Sequence, residues 1–507
     1  MTSSNNPFYL SSLNGKNGFK VIGNDKDELG WQISSAGDVN GDGINDMIIG
    51  AQSANKYAGK AYVLFGKDSK FSSKLSVSSL NGSNGFQIVG ENSKDALGYS
   101  VSGAGDINGD GLNDIIIGAV GKNNQLGEGY VVFGSKSGFP STINVSDLNG
   151  SNGFAIIGDD KERGSSLGMS VSAAGDMNGD GLDDIVISAP QGMINNGGGA
   201  SYVLYGNNLP LPPIVNLTNL EQWKGLTIYG EQNSVSGQSI GKLGDINGDG
   251  LDDIIIGARN ADNGIGAAYV VYGKGSENAL QHIYPYIGNN NGFKIQGDSK
   301  TSYLGSSVSG IGDINGDSLN DLVVSSDSSG PCGGNPTNYV LYGSKDFSNP
   351  FSVSSINGNN GFAIKDSTGA GLKVNGAGDI NNDGIDDLII SKSYNACGGQ
   401  ETSYVLFGDK LGFPPEIYIN QYNLNGSHGF QINKVRSEDS MGYSVSGVGD
   451  VNKDGIADFA IGAPLAHSHS GVSYIVFGTE NIEDSLGNDS MMSNIFSQLF
   501  DMLPAVF

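Results

Sequence analysis

The chain has 507 residues, of which 53 are Asp or Glu and 27 are Lys or Arg, so its formal net charge is −26. This acidity argues against binding to nucleic acid or insertion into an anionic membrane. Two cysteines are too few for a disulfide framework, and no apolar run approaches the roughly 20 residues that span a bilayer.

Four strand-like segments recur in each of seven units along the chain. In the second unit they fall at residues 97–105, 114–119, 129–134 and 152–158. The second of these segments is continuously apolar, which is typical of a strand buried on both faces. The units repeat every 66–71 residues, and a period of this length indicates a repeat architecture.

Each unit places a nine-residue segment of the pattern D-x-N-x-D-G-x-x-D just before its apolar strand. Ca²⁺ prefers six to eight oxygen ligands, which three carboxylates, one amide and one backbone carbonyl begin to supply. The predicted ligand Asp residues, three in each segment, account for 21 of the 53 acidic residues, so much of the acidity would be neutralised by bound cations. We therefore predict up to seven bound Ca²⁺. The predicted ligands are Asp38, Asn40, Asp42, Ile44, Asp46, Asp106, Asn108, Asp110, Leu112, Asp114, Asp176, Asn178, Asp180, Leu182, Asp184, Asp245, Asn247, Asp249, Leu251, Asp253, Asp313, Asn315, Asp317, Leu319, Asp321, Asp379, Asn381, Asp383, Ile385, Asp387, Asp450, Asn452, Asp454, Ile456 and Asp458.

An EF-hand begins in the same way, but it needs an acidic residue at position twelve and a flanking helix. Position twelve of the first loop is Ile49, and strand-forming residues follow, so we predict a β-hairpin loop. Three loops depart from the pattern: Ser318 replaces a glycine in the fifth, Asn382 in the sixth and Lys453 in the seventh. A positive φ would strain Ser318, and the charge of Lys453 should weaken the seventh site.

Seven units of four short antiparallel strands predict an all-β fold, a seven-bladed β-propeller of four-stranded blades. The chain opens with a fourth strand, at residues 18–23, and closes with a third strand that ends at Gly478. The ring can therefore close only if the N-terminal strand completes the last blade. We expect one propeller domain over residues 8–478.

A tail over residues 479–507 follows the predicted propeller. Its apolar residues fall at positions 492, 495, 496, 499, 500 and 503, which predicts a short amphipathic helix. The helix could dock on the propeller, join a partner or act in secretion.

The order of motifs resembles the FG-GAP repeats of integrin alpha subunit propellers. Leu97-Gly98 precedes the loop of the second unit and Gly-Ala follows it, extended to Gly462-Ala463-Pro464 in the last unit. The third unit has Ser188 in place of that glycine. The resemblance covers the chain except its tail, and it implies a non-catalytic propeller for cell adhesion or ligand recognition.

The residue after the first-strand glycine starts the innermost strand, at the face opposite the calcium loops. In units one to seven it is Trp31, Tyr99, Met169, Gln238, Ser306, Leu372 and Tyr443. In integrin alpha subunits, aromatic residues at similar positions form a cage that receives a basic side chain of a partner by a cation–π contact. The resemblance thus implies a partner-binding site at Trp31, Tyr99 and Tyr443, with ordinary packing over the channel mouth as the alternative.

We expect a monomeric, non-enzymatic protein that recognises a protein or glycan ligand. Similar repeats also accompany a phospholipase, so the alternative is an accessory or catalytic propeller of a glycan- or lipid-directed secreted hydrolase. The N-terminus shows no recognisable signal peptide, yet Ca²⁺ sites of weak to moderate affinity suit an extracellular or cell-surface setting.

Two short motifs have alternative interpretations. Residues 237–241 match the G-x-S-x-G nucleophile elbow around Ser239, but no strand-to-helix turn follows, so we interpret them as part of a first strand. His467 and His469 form a local pair that could hold a transition metal, although a solvated loop is the favoured interpretation.

Cys332 and Cys397 occupy equivalent loops of neighbouring units, each within Cys-Gly-Gly. They could form a disulfide only if their Cα atoms came within about 7 Å. Two separate thiols are the alternative.

Overall fold

A computed structural model describes residues 7–158, 165–192, 197–208, 210–275, 282–283, 288, 290–298, 303–327, 336–368, 371–392, 401–422, 424, 426–433 and 439–480. These residues form seven sheets arranged in a ring, which confirms the predicted seven-bladed β-propeller. Cys332, Cys397 and the predicted tail helix lie outside the described residues.

The strands of each blade are counted outward from the central channel, and blades are numbered in the order of their inner strands. The inner strands are Ile33–Gly37, Leu97–Gly105, Val171–Gly175, Ser236–Gly244, Ser307–Gly312, Lys373–Gly378 and Val445–Gly449. The second strands are Asp46–Ala51, Asp114–Ala119, Asp184–Ala189, Asp253–Ala258, Asp321–Ser325, Asp387–Lys392 and Asp458–Ala463. The third strands are Lys60–Leu64, Glu128–Val132, Ala200–Leu204, Ala267–Val271, Asn338–Leu341, Thr402–Leu406 and Val472–Val476. The fourth strands are Gly85–Val89, Gly153–Ile157, Leu226–Tyr229, Gly292–Gln296, Gly361–Lys365, Gly429–Asn433 and Gly18–Ile22.

Every blade contains the four predicted antiparallel strands and adds a fifth, outermost strand that the sequence analysis did not predict. This strand is two or three residues long and pairs in parallel with the fourth, as Thr142–Asn144 pairs with Gly85–Val89. It comes from the connection that precedes the fourth strand of the next blade, which the sequence showed only as a polar stretch. For blades one to seven the fifth strands are Thr142–Asn144, Ile214–Asn216, His282–Ile283, Phe351–Ser352, Glu416–Tyr418, Phe8–Tyr9 and Lys74–Ser76.

Helical segments among the described residues are single turns. Turns of 3-10 helix follow five of the fifth strands, at Leu10–Ser12, Val77–Ser79, Val145–Asp147, Leu217–Asn219 and Val353–Ser355. An α-helical turn spans Leu220–Trp223, and four turns with left-handed residues join second and third strands, at Ala54–Tyr57, Lys122–Gln125, Ala261–Gly264 and Ala466–His469. None of the described helices is long and apolar enough to cross a bilayer.

The second strands are buried along their whole length because each blade packs against a neighbour on both faces. Side chains of a strand alternate between its two faces, so successive residues enter different cores. Met47 and Ile49 pack in a cluster with Ile475 of blade seven, whereas Ile48 packs in a cluster with Ile115 of blade two. The continuous apolar run in the sequence is therefore the signature of two inter-blade cores.

The N-terminal segment closes the ring, as predicted. Gly18–Ile22 pairs antiparallel with Val472–Val476 and so completes blade seven. The preceding strand, Phe8–Tyr9, adds in parallel to the edge of blade six. Residues 8–22 thus tie together the last two blades of the chain.

Candidate calcium loops and channel mouth

Each candidate calcium loop joins the inner strand of a blade to its second strand. In blade one the inner strand ends at Gly37, and the second strand begins at Asp46, the last residue of the loop. A strand follows the loop in all seven blades, which confirms the β-hairpin interpretation over an EF-hand.

The first Asp of the loop organises the turn. In blade one, Asp38 Oδ1 accepts hydrogen bonds from the backbone N–H groups of Gly41 and Asp42, at 2.7 and 3.1 Å. Its Oδ2 accepts from the N–H of Gly43 at 2.8 Å. Asn40 Oδ1 accepts from the Asp42 N–H at 2.9 Å, so side-chain oxygens satisfy the backbone donors of the tight turn.

The last Asp of the loop is fully buried. Asp46 is 0% exposed, and its carboxylate accepts from the N–H groups of Val39 and Gly66, at 3.0 and 2.9 Å. Burial is the main reason that the pKa of Asp46 rises to about 8; the charges of Asp42 and Asp38 act in the same direction, and the two hydrogen bonds oppose the rise. Burial likewise raises the pKa of the equivalent residues in the other six loops, Asp114, Asp184, Asp253, Asp321, Asp387 and Asp458.

The three divergent loops keep the overall geometry with local strain. Ser318 has a φ of 73°, Asn382 of 60° and Lys453 of 59°, all in the left-handed region that favours glycine. In the sixth and seventh loops the N–H groups of Asn382 and Lys453 do not bond to the first Asp of their loop, unlike Gly41 in the first. These two loops are therefore held less firmly than the first five.

The loop residues fit Ca²⁺ by the chemistry of their donors, which are hard oxygens. An ionised carboxylate offers about four acceptor sites, and the exposed Asp42 carboxylate uses one, for the N–H of Ile44. Within the described ranges, no three acidic, His or Cys side chains converge closely enough to hold an ion as they stand. Binding of an ion would therefore require the loop carboxylates to draw together.

A side-chain hydrogen bond links most loops to the preceding blade, and the sequence analysis missed it. Asn113 Oδ1 accepts from the N–H of Asp38 at 2.8 Å, and Asp183 Oδ2 accepts from the N–H of Asp106 at 2.9 Å. Asn or Asp fills this position, just before the last Asp, in six of the seven loops, and that bias could have revealed the link. The remaining residues at this position are Asn45, Asp252, Asn320, Asp386 and Ala457.

Backbone hydrogen bonds complete this ring of loops. The N–H of Ser135, just after the third strand of blade two, donates to the Val39 carbonyl of loop one at 2.8 Å. The equivalent bond from Lys67 to the Val451 carbonyl, at 2.9 Å, joins blade one to blade seven. The loops thus form a continuous belt around one end of the channel.

Asp183→Ala is expected to destabilise the propeller by about 1–2 kcal/mol, because the half-buried N–H of Asp106 loses its acceptor. Asp183→Asn keeps an acceptor oxygen and should cost less, and Asp25→Ala, at an exposed site, should cost nothing measurable. Urea unfolding monitored by circular dichroism gives the three values. If Asp183→Ala and Asp183→Asn lowered the free energy of unfolding equally, the acceptor oxygen at position 183 would not be what stabilises the loop.

At the opposite end of the channel, Trp31, Tyr99 and Tyr443 lie together. The ring centroid of Trp31 is 4.5 Å from that of Tyr443 and 6.0 Å from that of Tyr99. All three side chains are half-buried at or near the start of the inner strands. The aromatic group inferred from the sequence is thus assembled in one place.

Lys373 of blade six covers the ring of Tyr443. Its Nζ lies 4.3 Å from the ring centroid and donates to the backbone carbonyl of Tyr443. The sequence analysis took Leu372 as the blade-six residue of this set, but Leu372 is buried and Lys373 enters the channel. Lys373 keeps accessible surface inside the channel. The surrounding blades nevertheless displace much of the water around its ammonium group, and this desolvation lowers its pKa to about 8.

The nucleophile-elbow motif and the histidine pair form no reactive or metal-binding group among the described residues. Ser239 lies inside the inner strand of blade four, and its Oγ accepts from the N–H of Val308 in the next blade, at 3.1 Å. The nucleophile-elbow motif is thus part of a strand, as interpreted. His469 Nδ1 lies 2.9 Å from Oε1 of Glu28, and neither His469 nor His467 belongs to a described cluster of three metal-binding side chains.

Comparisons with known proteins agree with the repeat analysis. Five segments match the FG-GAP repeat family model, at residues 29–64, 97–132, 167–204, 236–271 and 441–476. The chain is 27% identical over 249 residues to integrin alpha-V of Gallus gallus, covering 48% of this chain and 21% of that protein. It is 30% identical over 242 residues to integrin alpha-5 of Xenopus laevis, covering 45% of this chain and 19% of that protein.

The chain therefore spans about a fifth of the length of these relatives. Among solved structures, Sqt1 from Chaetomium thermophilum aligns over 92% of this chain and 100% of its own, with 11% identity and a TM-score of 0.41. That likeness is too low to carry an argument about function.

Proposed function

Because this chain carries FG-GAP repeats and resembles integrin alpha propellers, we propose that it is a non-catalytic, Ca²⁺-stabilised propeller that recognises a protein or glycan ligand in adhesion. The observation that carries the proposal is the separation of two sets of residues. Acidic loops form a belt at one end of the channel, and aromatic residues cluster at the other.

In this proposal Ca²⁺ has a structural role. Asp38 and Asp42 lie near the buried Asp46, so each empty loop concentrates negative charge in a small volume. Asp38, Asn40, Asp42 and Asp46 would hold the ion by side-chain oxygens and Ile44 by its carbonyl, and the other loops would do so by the equivalent residues. The ion would neutralise the loop and fix the hairpin to its neighbours.

Recognition is assigned to the end of the channel that carries Trp31, Tyr99 and Tyr443. Half-buried aromatic residues provide contact area at a low cost in side-chain entropy, and they are enriched where proteins bind partners. The described loops at this end do not take part in the belt of candidate calcium loops. A ligand can therefore bind without disturbing the ions.

We further propose an extracellular or cell-surface setting and a monomeric propeller. The resemblance to integrin alpha subunits supports this setting, as does the abundance of Ca²⁺ outside cells relative to the affinity of extracellular sites. The alternative of a propeller belonging to a glycan- or lipid-directed hydrolase gains no specific support from the described side chains.

A double variant tests the recognition face. Trp31→Ala with Tyr99→Ala is expected to reduce binding to glycan and cell-surface protein arrays at least about tenfold, because Trp and Tyr are enriched among the interface residues whose truncation costs about 2 kcal/mol or more. Ile214→Ala, which removes an exposed apolar residue from the outer edge of blade two, is the control. Undiminished binding by a folded double variant would contradict this assignment.

A further inference from the structure

We propose that the channel mouth binds an acidic saccharide, with Lys373 contacting its carboxylate and Trp31 stacking on a sugar ring. The inference rests on the proposed recognition function and names the class of ligand. It starts from a cavity of about 750 Å³ in the channel, lined by residues of all seven inner strands. A cavity of this size lies within the range of about 300–1,000 Å³ that is usual for small-ligand sites.

The aromatic residues at the mouth have unused polar groups. The indole N–H of Trp31 and the hydroxyls of Tyr99 and Tyr443 make no hydrogen bond to any described residue. By contrast, the indole N–H of Trp223, which packs in an inter-blade core, donates to the Tyr205 carbonyl at 3.0 Å. The three groups at the mouth are therefore available to a ligand that offers hydroxyl groups.

The channel wall supplies further polar groups of the same kind. Several of its serines are occupied in joining blades, as when Ser172 Oγ accepts from the N–H of Lys242 at 3.2 Å. The side chains of Gln32, Gln238 and Ser307 also line the cavity, but they form no hydrogen bonds within the described part of the chain. Amide and hydroxyl groups that can both donate and accept suit a polyhydroxyl ligand.

The one lysine of the channel lining that forms no ion pair among the described residues favours an acidic ligand. Lys242 is paired with Asp252, at 3.0 Å, and Asp183 accepts a hydrogen bond from the backbone N–H of Asp106 near the belt of candidate calcium loops. Lys373 has no carboxylate within ion-pair distance among the described residues. On a chain of net charge −26, this Lys marks the channel mouth as the place where an anion can bind.

A basic side chain is the wrong partner for this mouth. Lys373 already covers the Tyr443 ring that a cation would use, and two cations there would repel each other. An acidic peptide would satisfy Lys373 but would leave most of the hydroxyl and amide groups of the wall unused. A saccharide with a carboxylate uses the cation, the Trp31 ring and these polar groups together.

The test measures binding of a glucuronic-acid disaccharide by isothermal titration calorimetry, with its neutral glucose counterpart and an aspartate-rich hexapeptide as comparison probes. The wild-type protein should bind the acidic disaccharide at least about tenfold more tightly than the neutral one, the factor that 1.4 kcal/mol supplies. Lys373→Met should abolish that difference. Lys16→Met, which makes the same charge change at an exposed site, should preserve it.

Trp31→Phe separates stacking from hydrogen bonding, because it keeps an aromatic ring but removes the indole N–H. This variant should bind both disaccharides more weakly than the wild-type protein does. Thermal melting confirms that each variant is folded. Equal binding of the acidic and neutral disaccharides, absence of binding by both, or a peptide that binds more tightly than the acidic disaccharide would overturn the inference. The double variant Trp31→Ala, Tyr99→Ala tells this failure from a failure of the recognition proposal. If it binds the glycan and protein arrays less than the wild-type protein does, the recognition function stands and only the ligand class is wrong.

Discussion

Chelation of Ca²⁺ is expected to lower the thermal midpoint of this propeller by more than about 10 °C, since several sites contribute and a kcal/mol shifts the midpoint of a large domain by about 2–4 °C. A ligand present at 100 times its dissociation constant stabilises the folded state by about 2.7 kcal/mol per site. The physical reason is the repulsion in each empty loop, where the buried Asp46 lies beside the charges of Asp42 and Asp38.

The measurement is a pair of calorimetric melts, one in EDTA and one after Ca²⁺ is added back in excess. Asp42→Asn should lower the number of bound Ca²⁺ ions by one, counted by inductively coupled plasma mass spectrometry. Asp25→Asn changes the net charge equally at an exposed site outside the loops and should leave that number unchanged. Identical melts with and without EDTA would show that hydrogen bonds alone hold the loops, and the calcium proposal would fail.

The sequence predicted the features that repeat in phase. The loop before Asp46, the buried strand after it and the incomplete blades at the two ends all leave local signals in the chain. These signals sufficed for the blade number, for the hairpin loops and for the closure by Gly18–Ile22. Each of them depends on residues close together in sequence or on a count.

Features that depend on contacts between blades were missed. The fifth strands are too short for an alternating pattern, and Thr142–Asn144 pairs with a strand more than 50 residues away. The position of Lys373 over Tyr443 likewise depends on how blades six and seven meet, because the two residues are 70 positions apart. Single-sequence periodicity carries no information about such pairings.

Phe19→Ala is expected to destabilise the propeller by about 3–5 kcal/mol, the usual effect of truncating a buried Phe. Phe19 is 1% exposed in the N-terminal strand that completes blade seven. Its ring stacks on that of Phe71, with centroids 4.4 Å apart, and lies 5.9 Å from that of Phe477. The substitution therefore removes contacts that hold the strand Gly18–Ile22 to blade seven. Urea unfolding measures the loss of stability.

Phe154→Ala separates closure from core packing, because Phe154 occupies the same position in the fourth strand of blade two and is 0% exposed. Both variants should lose similar stability, but only Phe19→Ala should detach the N-terminal strand. Its loss would expose the edge of Val472–Val476, whose backbone groups now pair with Gly18–Ile22. Limited trypsin digestion should then cleave after Lys20 in the Phe19 variant and leave that bond intact in the Phe154 variant. Equal cleavage in both would mean that the ring opens elsewhere.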